Sequence, residues 1–159
     1  MRTRLLLLLF CFTGLLTSCQ REKETRVTDF VDPFIGTAGQ GHCFPGATVP
    51  FGGIQLSPDN PRSAWEWCSG YHYSDSIISS FSHSHLSGTG IGDLQDIRLL
   101  PVTTRPQPDE HAIDFIEKGY AKFSHANETA EPGYYSVFLD TYQVKAEISA
   151  TKRGAIHRY

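Results

Sequence analysis

The chain has 159 residues, of which 40% are hydrophobic and 19% are charged, and its formal net charge is −3 at pH 7. This length corresponds to about one domain after a leader is set aside. The 14 Lys and Arg residues form no basic stripe, and because phosphate binding needs clustered basic side chains, we expect no nucleic-acid partner.

Residues 1–18 have the form of a bacterial lipoprotein signal peptide. Arg2 and Arg4 precede an apolar run that is too short to cross a bilayer. Cys19 follows small residues in an order that resembles a lipobox, so we expect cleavage before Cys19 and acylation of its thiol and amine. An ordinary signal peptide, in which Cys19 holds this place by chance, is the alternative.

The polar residues 19–28 are typical of a flexible tether behind the lipidated Cys19. The acyl chains would attach the protein to a membrane, since each buried methylene contributes about 0.8 kcal/mol. We therefore expect an exported lipoprotein of a Gram-negative bacterium, located in the periplasm or at the outer membrane and cell surface.

Residues 32–59 are rich in glycine and proline and cannot form a long regular element. Such a chain folds tightly and lets its backbone approach a ligand. A phosphate cradle would need Gly-Lys-Ser or Gly-Lys-Thr, and this stretch has no lysine, which argues against nucleotide binding.

Trp65, Trp67 and two tyrosines lie close together in residues 65–73. The apolar faces of sugars pack on aromatic rings, while polar neighbours fix the hydroxyl groups. Two tryptophans beside Gly, Ser and His therefore indicate one wall of a ligand site. The alternative is that both side chains fill the core.

His83 and His85 form a His-x-His pair, and the two side chains would share one face if this segment were a strand. Such a pair can chelate zinc or iron, but a third ligand is not evident. We therefore favour hydrogen-bonded or sugar-contacting histidines over a metal site, and we assign no metal ligand.

The later part of the chain is dominated by strand patterns that are rich in aromatic and β-branched residues or alternate apolar with polar residues. These are residues 96–101, 120–125, 134–139 and 142–150. A turn at residues 131–133 should join two of them, and residues 109–118 are the best helix candidate. The sequence thus predicts a mainly β fold, an antiparallel β-sandwich.

Residues 156–159 look like the start of a further strand. A natural terminus is usually polar and loosely held, and an unpaired apolar edge invites aggregation. We therefore expect the sandwich over residues 29–159 to be incomplete at its C-terminal end. A small complete domain that ends on a strand is the alternative.

Cys43 and Cys68 are the two cysteines that remain after the expected processing. A compartment outside the inner membrane permits a disulfide between them. Two free, buried thiols are at least as well supported, because Cys behaves as a small apolar residue. A zinc knuckle is not expected, since the chain has no Cys-x-x-Cys pair.

Four blocks of sequence, in this order, resemble the N-terminal domain of glycoside hydrolase family 92. They are DPFIGT at 32–37, FPGATVPFGGIQLSPD at 44–59, WEWCSGYHY at 65–73 and FSHSHLSGTGIGD at 81–93. The resemblance runs from about Asp29 to the end of the chain. Gln40 and Cys43 depart from the family pattern within the Gly-rich loop, which leaves the shape of that loop open.

The resemblance implies a calcium-dependent, inverting exo-α-mannosidase with an N-terminal β-sandwich and a C-terminal (α/α)6 barrel. It implies α-1,2-type activity on mannoside glycans such as N-glycans or mannan. In the family the two carboxylates that inversion requires lie in the barrel, as do most calcium ligands. The 159 residues do not contain the barrel, so we assign no catalytic residue and expect this chain alone to be inactive.

The resemblance further implies that this segment supplies one wall of the mannose pocket. The residues assigned to it are Trp65, Trp67, Cys68, His83, His85 and the loop from Gly36 to His42. Asp75, Asp93 and Asp96 are assigned structural roles instead, because carboxylates in Gly-rich turns accept backbone N–H bonds. The alternative function is a non-catalytic, carbohydrate-binding surface lipoprotein.

Overall fold

A computed structural model describes residues 25–92, 94–104 and 120–159 of the chain. The signal peptide expected over residues 1–18, the lipidation expected at Cys19, Asp93 and the helix expected over residues 109–118 lie outside these ranges. Two short 3-10 turns, Val27–Phe30 and Trp65–Trp67, are the helical elements of the described part. No helix in that part is long and apolar enough to cross a membrane.

The described residues form eight strands in two antiparallel sheets, so the prediction of a mainly β, antiparallel fold is confirmed. The strands are β1 (Ala47–Thr48), β2 (Gln55–Asp59), β3 (Ile77–Ile78), β4 (Ser80–Ser82), β5 (Ala121–Glu131), β6 (Tyr134–Leu139), β7 (Val144–Ala150) and β8 (Ala155–Arg158). The smaller sheet has the order β1-β2-β4, and the larger has the order β3-β5-β6-β7-β8.

The hairpin of β5 and β6 has the turn that the sequence predicts. Pro132 and Gly133 form it, and Gly133 takes a φ of +79°, which glycine adopts without a steric penalty. Strand β5 continues to Glu131, so it is longer than the predicted residues 120–125. Its register against β6 shifts between Phe123 and Glu128, which bends the strand.

The alternation predicted for residues 142–150 is confirmed from Val144 onward. Ala146, Ile148 and Ala150 are buried, while Lys145 and Ser149 are exposed. A half-buried strand has this two-residue period because successive side chains point to opposite faces. Strand β8 pairs with β7 and includes part of the predicted segment 156–159.

The strand predicted over residues 96–101 is wrong. Leu99 makes one isolated bridge with Phe81, and the neighbouring residues are in no strand. Ile97 takes a φ of +57°, and Gln95 takes a φ of +58°, so the backbone leaves the extended region at these points. An apolar pattern alone could not reveal these left-handed residues.

The two sheets share one hydrophobic core. Leu56 and Phe81 of the smaller sheet are fully buried in the same cluster as Tyr135, Val137 and Ile148 of the larger sheet. Truncating one such side chain to alanine would cost about 2–5 kcal/mol of stability. This core holds the ends of the loops that carry the candidate site.

Candidate functional site

Three loops meet around Cys68. Its Sγ lies 2.6 Å from the Nδ1 atom of His42 and donates to the carbonyl of Thr89. The Gly88 N–H donates to the His42 carbonyl over 2.7 Å. Segments that are far apart in the sequence therefore form one continuous surface.

The glycine-rich loop presents His42 through two close backbone approaches. Gly36 takes a φ of +82°, and its carbonyl accepts the Cys43 N–H over 3.0 Å. A Cβ atom on Gly41 would lie 2.2 Å from the Gly36 carbonyl oxygen, so a larger residue would break the turn. Gly36 thus shapes the loop, and His42 is the side chain that reaches the shared surface.

Trp65 is a large aromatic side chain held at the surface. It is 60% exposed, and a Cβ atom on Gly90 would lie 2.1 Å from its indole ring. The His42 ring meets the indole edge-on, with ring centroids 5.2 Å apart and an interplanar angle of 82°. The indole is therefore supported on one side and open to solvent elsewhere.

Trp67 is packed into the fold and is only 7% exposed. Its Nε1–H donates to Asp75 over 3.3 Å, and the His72 ring lies 4.5 Å from the indole between centroids. The guanidinium carbon of Arg62 lies 4.5 Å from the ring centroid, a cation–π contact. The sequence left open the alternative that both tryptophans fill the core. That alternative describes Trp67 better than Trp65.

A hollow of about 430 Å³ lies beside these side chains. This volume is within the range of small-molecule sites, about 300–1,000 Å³. The described lining carries two guanidinium groups and two side-chain amides and includes no carboxylate. The lining residues are Asn60, Pro61, Arg62, Ser63, Ala64, Trp65, Trp67, Cys68, Gly90, Gly92, Gln95 and Arg98.

His85 lies inside the fold and does not line the hollow. Its Nε2 contacts the Asp59 carboxylate at 2.8 Å, its Nδ1 contacts the Gln55 carbonyl at 2.8 Å, and the side chains of His85 and Asp59 are fully buried. Ser80 and Ser82 donate to the same carboxylate. A Cβ atom on Gly70 would lie 2.8 Å from that carboxylate. This network therefore fixes the turn that follows Trp67.

His83 contacts different residues from those that His85 contacts. Strand β4 ends at Ser82, so the shared strand face expected for the pair does not extend to them. The His83 Nδ1 lies 2.7 Å from the Ile97 carbonyl, and its Nε2 lies 3.1 Å from the Nε2 of His157. The two histidines of the His-x-His motif thus have separate partners.

A buried carboxylate anchors the aromatic stretch to the larger sheet. Glu128 accepts hydrogen bonds from the hydroxyls of Tyr71 and Tyr135 at 3.0 and 2.6 Å, and it contacts His125 at 2.6 Å. Burial, with Glu128 adjacent, raises the pKa of both tyrosines well above the usual value. Both hydroxyls therefore stay protonated and remain donors.

Residues 30–159 match the N-terminal domain of glycosyl hydrolase family 92. The chain belongs to this family. Residues of the family 92 domain are 41% identical to the GH92 α-mannosidase BT3965 from Bacteroides thetaiotaomicron, whose structure superposes with a TM-score of 0.74. That match covers 84% of this chain and 18% of the other.

Two further proteins are similar to the family 92 domain. The GH92 family glycosyl hydrolase ccman5 is 30% identical, with a TM-score of 0.68, over 82% of this chain and 18% of that protein. A protein described as a secreted glycosidase in Arthroderma benhamiae is 31% identical over 86% of this chain and 17% of its own length. The chain therefore spans less than a fifth of the relatives that it matches.

Asp75 and Asp96, two of the carboxylates that we assigned structural roles, have partners within the family 92 domain. Asp75 accepts the Ser76 N–H over 2.9 Å in addition to the Trp67 indole. Asp96 accepts from the Ser84 hydroxyl over 3.2 Å. Neither lines the hollow.

The calcium implied by the family resemblance does not fit the described residues of this domain. Within residues 25–92, 94–104 and 120–159, no three or more His, Cys, Asp or Glu side chains come together to hold a metal ion. Ca²⁺ takes six to eight oxygen ligands. We therefore place no calcium ligand here.

Several site residues were not identified from the sequence. Arg62 and Arg98 line the hollow but lie outside the four family blocks, and Gly90, within the block at 81–93, supports Trp65. The Gly-rich run after His85 indicates that the backbone there approaches another group closely. It does not show that this group is the Trp65 indole. The two arginines are separated by 36 positions of sequence and meet only in the fold.

Proposed function

We propose that this chain is the N-terminal domain of an exo-acting α-mannosidase and forms one wall of its mannose pocket. Membership in family 92 and the similarity to a structure named as an α-mannosidase support the proposal. The exposed indole of Trp65 at the rim of the hollow is the observation that carries it. An aromatic ring presented to solvent beside hydrogen-bond donors suits the mixed apolar and polar surface of a hexose.

The side chains around the hollow would have different roles in binding a sugar. The Trp65 indole would pack against the C–H face of the ring, and the side chains of Gln95 and Arg98 would bond its hydroxyl groups. His42 and Cys68 would hold the indole in place, since His42 contacts both. His85 acts from behind the surface through its bonds to Asp59 and the Gln55 carbonyl.

The chemistry would come from the rest of the full-length protein. Inversion requires a carboxylic acid and a carboxylate base about 6.5–9.5 Å apart, with room for a water molecule between them. We place both groups, and the calcium ligands, outside this chain. Its own residues would bind and orient the terminal mannose of an α-1,2-linked glycan such as an N-glycan or mannan.

We further propose that the protein acts outside the inner membrane. Residues 1–18 would be removed as a signal peptide, Cys19 would carry the lipid, and the residues up to 28 would form the tether. A lipid-anchored enzyme of the periplasm or cell surface would meet glycans that do not enter the cytoplasm. Labelling with radioactive palmitate, lost in Cys19→Ser, tests this part of the proposal.

The test of activity uses the full-length protein and α-linked mannobioses. We expect release of mannose from the α-1,2 isomer, with the β-anomer appearing first in the proton NMR spectrum because the reaction inverts. A chelator should abolish the activity, and added Ca²⁺ should restore it. Binding of α-mannosides without hydrolysis would favour the carbohydrate-binding lipoprotein instead, since the hollow is built from this chain alone.

A further inference from the structure

The His83 and His157 imidazoles approach each other through their Nε2 atoms. The two nitrogens are 3.1 Å apart, the ring centroids are 4.9 Å apart, and the ring planes meet at 41°. The two nitrogens are therefore close enough for a single metal ion to contact both.

The other nitrogen of His83 is fixed as a donor. Nδ1 lies 2.7 Å from the Ile97 carbonyl, which can only accept, so the neutral ring carries its lone pair on Nε2. Ile97 holds this carbonyl in place with a φ of +57°, which is rare for a β-branched residue. Strain of this kind is found where backbone geometry serves a site.

His157 has a partner that permits either tautomer. Its Nδ1 lies 2.8 Å from the Tyr159 hydroxyl, which can donate or accept. If Tyr159 donates, His157 Nε2–H donates to His83. If His157 Nδ1–H donates to Tyr159, both Nε2 lone pairs are free. Burial, and next the neighbouring His83, lower the pKa of His157.

We propose that His83 and His157 bind a divalent transition-metal ion, Zn²⁺ or Cu²⁺, through their Nε2 atoms. With metal–nitrogen distances of about 2.0–2.1 Å, the observed separation gives a nitrogen–metal–nitrogen angle of about 100°, between the square-planar and tetrahedral values. Each ring would keep an oxygen partner on Nδ1, as metal-bound histidines do. Water would complete the coordination, because no third ligand of the His, Cys, Asp or Glu type is grouped with them in the described residues.

This site differs from the His-x-His pair suggested by the motif. The fold separates His83 from His85, whose ring is occupied by Asp59, and replaces it with a residue 74 positions away on strand β8. The site also lies outside the set of residues that lines the hollow. His83 and His157 therefore share no residue with the described lining of the hollow.

The test is a calorimetric titration with Zn²⁺ of full-length protein that has been treated with a chelator and then saturated with Ca²⁺, so that the proposed calcium site elsewhere in the protein is filled. We compare the wild type with His83→Gln and His157→Gln, and with His125→Gln as a matched control at another partly buried histidine. We expect one Zn²⁺ site that either variant weakens at least about tenfold and that the control retains. Equal Zn²⁺ binding by the wild type and both variants, or no binding by the wild type, would overturn the proposal.

Nitrogen-15 NMR of the wild type supplies a measurement that does not depend on the variants folding. Addition of Zn²⁺ should shift the Nε2 resonances of both histidines and convert His157 to the Nδ1–H tautomer. A Cu²⁺ complex should show electron paramagnetic coupling to two imidazole nitrogens. Nε2 resonances of His83 and His157 that do not change at saturating Zn²⁺ would contradict the assignment.

Discussion

The imidazole of His42 stands edge-on to the indole of Trp65, at 82° and 5.2 Å between centroids. The same imidazole contacts the Cys68 thiol, so the Gly-rich loop and the Trp65–Trp67 turn are joined at one residue. This contact holds an exposed aromatic face in a defined direction. Pre-ordering of this kind reduces the entropy that a ligand must overcome.

Gly90→Ala should displace the Trp65 indole. The new Cβ atom would lie 2.1 Å from the ring, a distance that real contacts do not reach, so the ring must rotate or move away. We expect a lower kcat/KM of the full-length protein for an α-mannoside, because a displacement of about 1 Å can cost on the order of 10²-fold in rate. Gly53→Ala is the control, since its Cβ would meet its nearest neighbour at 3.7 Å. If Gly90→Ala and Gly53→Ala changed kcat/KM equally, Gly90 would have no specific role in positioning Trp65.

Asp59→Ala should strongly destabilise the domain. It removes the acceptor for His85 and for two serine hydroxyls in a region where the side chains are fully buried. Loss of one partner of a buried pair costs about 3–5 kcal/mol. Chemical denaturation measures this cost. Asp140→Ala, at an exposed aspartate, should change the unfolding free energy by less than about 0.5 kcal/mol.

A double substitution measures the interaction between Asp59 and His85 separately from the contacts that each makes with other residues. Asp59→Ala combined with His85→Ala should cost less than the sum of the two single substitutions, because each single one leaves an unpaired buried group. Additive costs would show that the two side chains act independently.

Cys43 and Cys68 should both be recovered as free thiols. The two cysteines are unbridged in the structure, and Cys68 is only 3% exposed. Alkylation of the denatured, unreduced protein followed by mass spectrometry should modify both. In the native protein Cys43 should react faster than Cys68, because it is the more accessible. A Cys43–Cys68 cross-linked peptide would contradict the structure.

The Glu147 carboxylate should titrate at unusually low pH. Hydrogen bonds from Tyr134 and Arg158 are the main causes, and they hold the pKa of Glu147 at about 2, below its ordinary value of 4.5. The stabilising effect is therefore present above pH 4.5 and is lost as the pH falls through about 2. In Tyr134→Phe the pKa should rise towards its ordinary value, as measured by carbon-13 NMR of the carboxyl group. An unchanged pKa would exclude the Tyr134 hydroxyl as the main cause.

The larger sheet could be predicted from the sequence because its strands carry local signals. Residues 134–139 form β6 as predicted, and the period of two in β7 reports directly which face is buried. The strand predicted over residues 96–101 was wrong because their apolar pattern resembles that of a strand. The backbone instead takes left-handed conformations that position the Ile97 carbonyl against His83. Tertiary contacts, rather than local preference, decide that segment.

The candidate site could be predicted only in part. The local density of aromatic residues pointed to both Trp65 and Trp67, but Trp65 is exposed and Trp67 is buried. The sequence alone could not predict which of two tryptophans two positions apart would be buried. The partners of His83 and His85 depend on which strands and loops become neighbours. His157 and Asp59 are both distant in sequence from the histidine that each contacts.

The most direct test of the central claim is the kcat/KM of the full-length protein for an α-mannoside after Trp65→Ala, with Phe51→Ala as the matched control. Both wild-type side chains are exposed aromatics, but only Trp65 lines the hollow. We predict at least about a tenfold fall in kcat/KM for Trp65→Ala, which corresponds to about 1.4 kcal/mol of lost transition-state binding, and little change for Phe51→Ala. A kcat/KM for Trp65→Ala within about twofold of the wild type would contradict the claim that this wall binds the sugar.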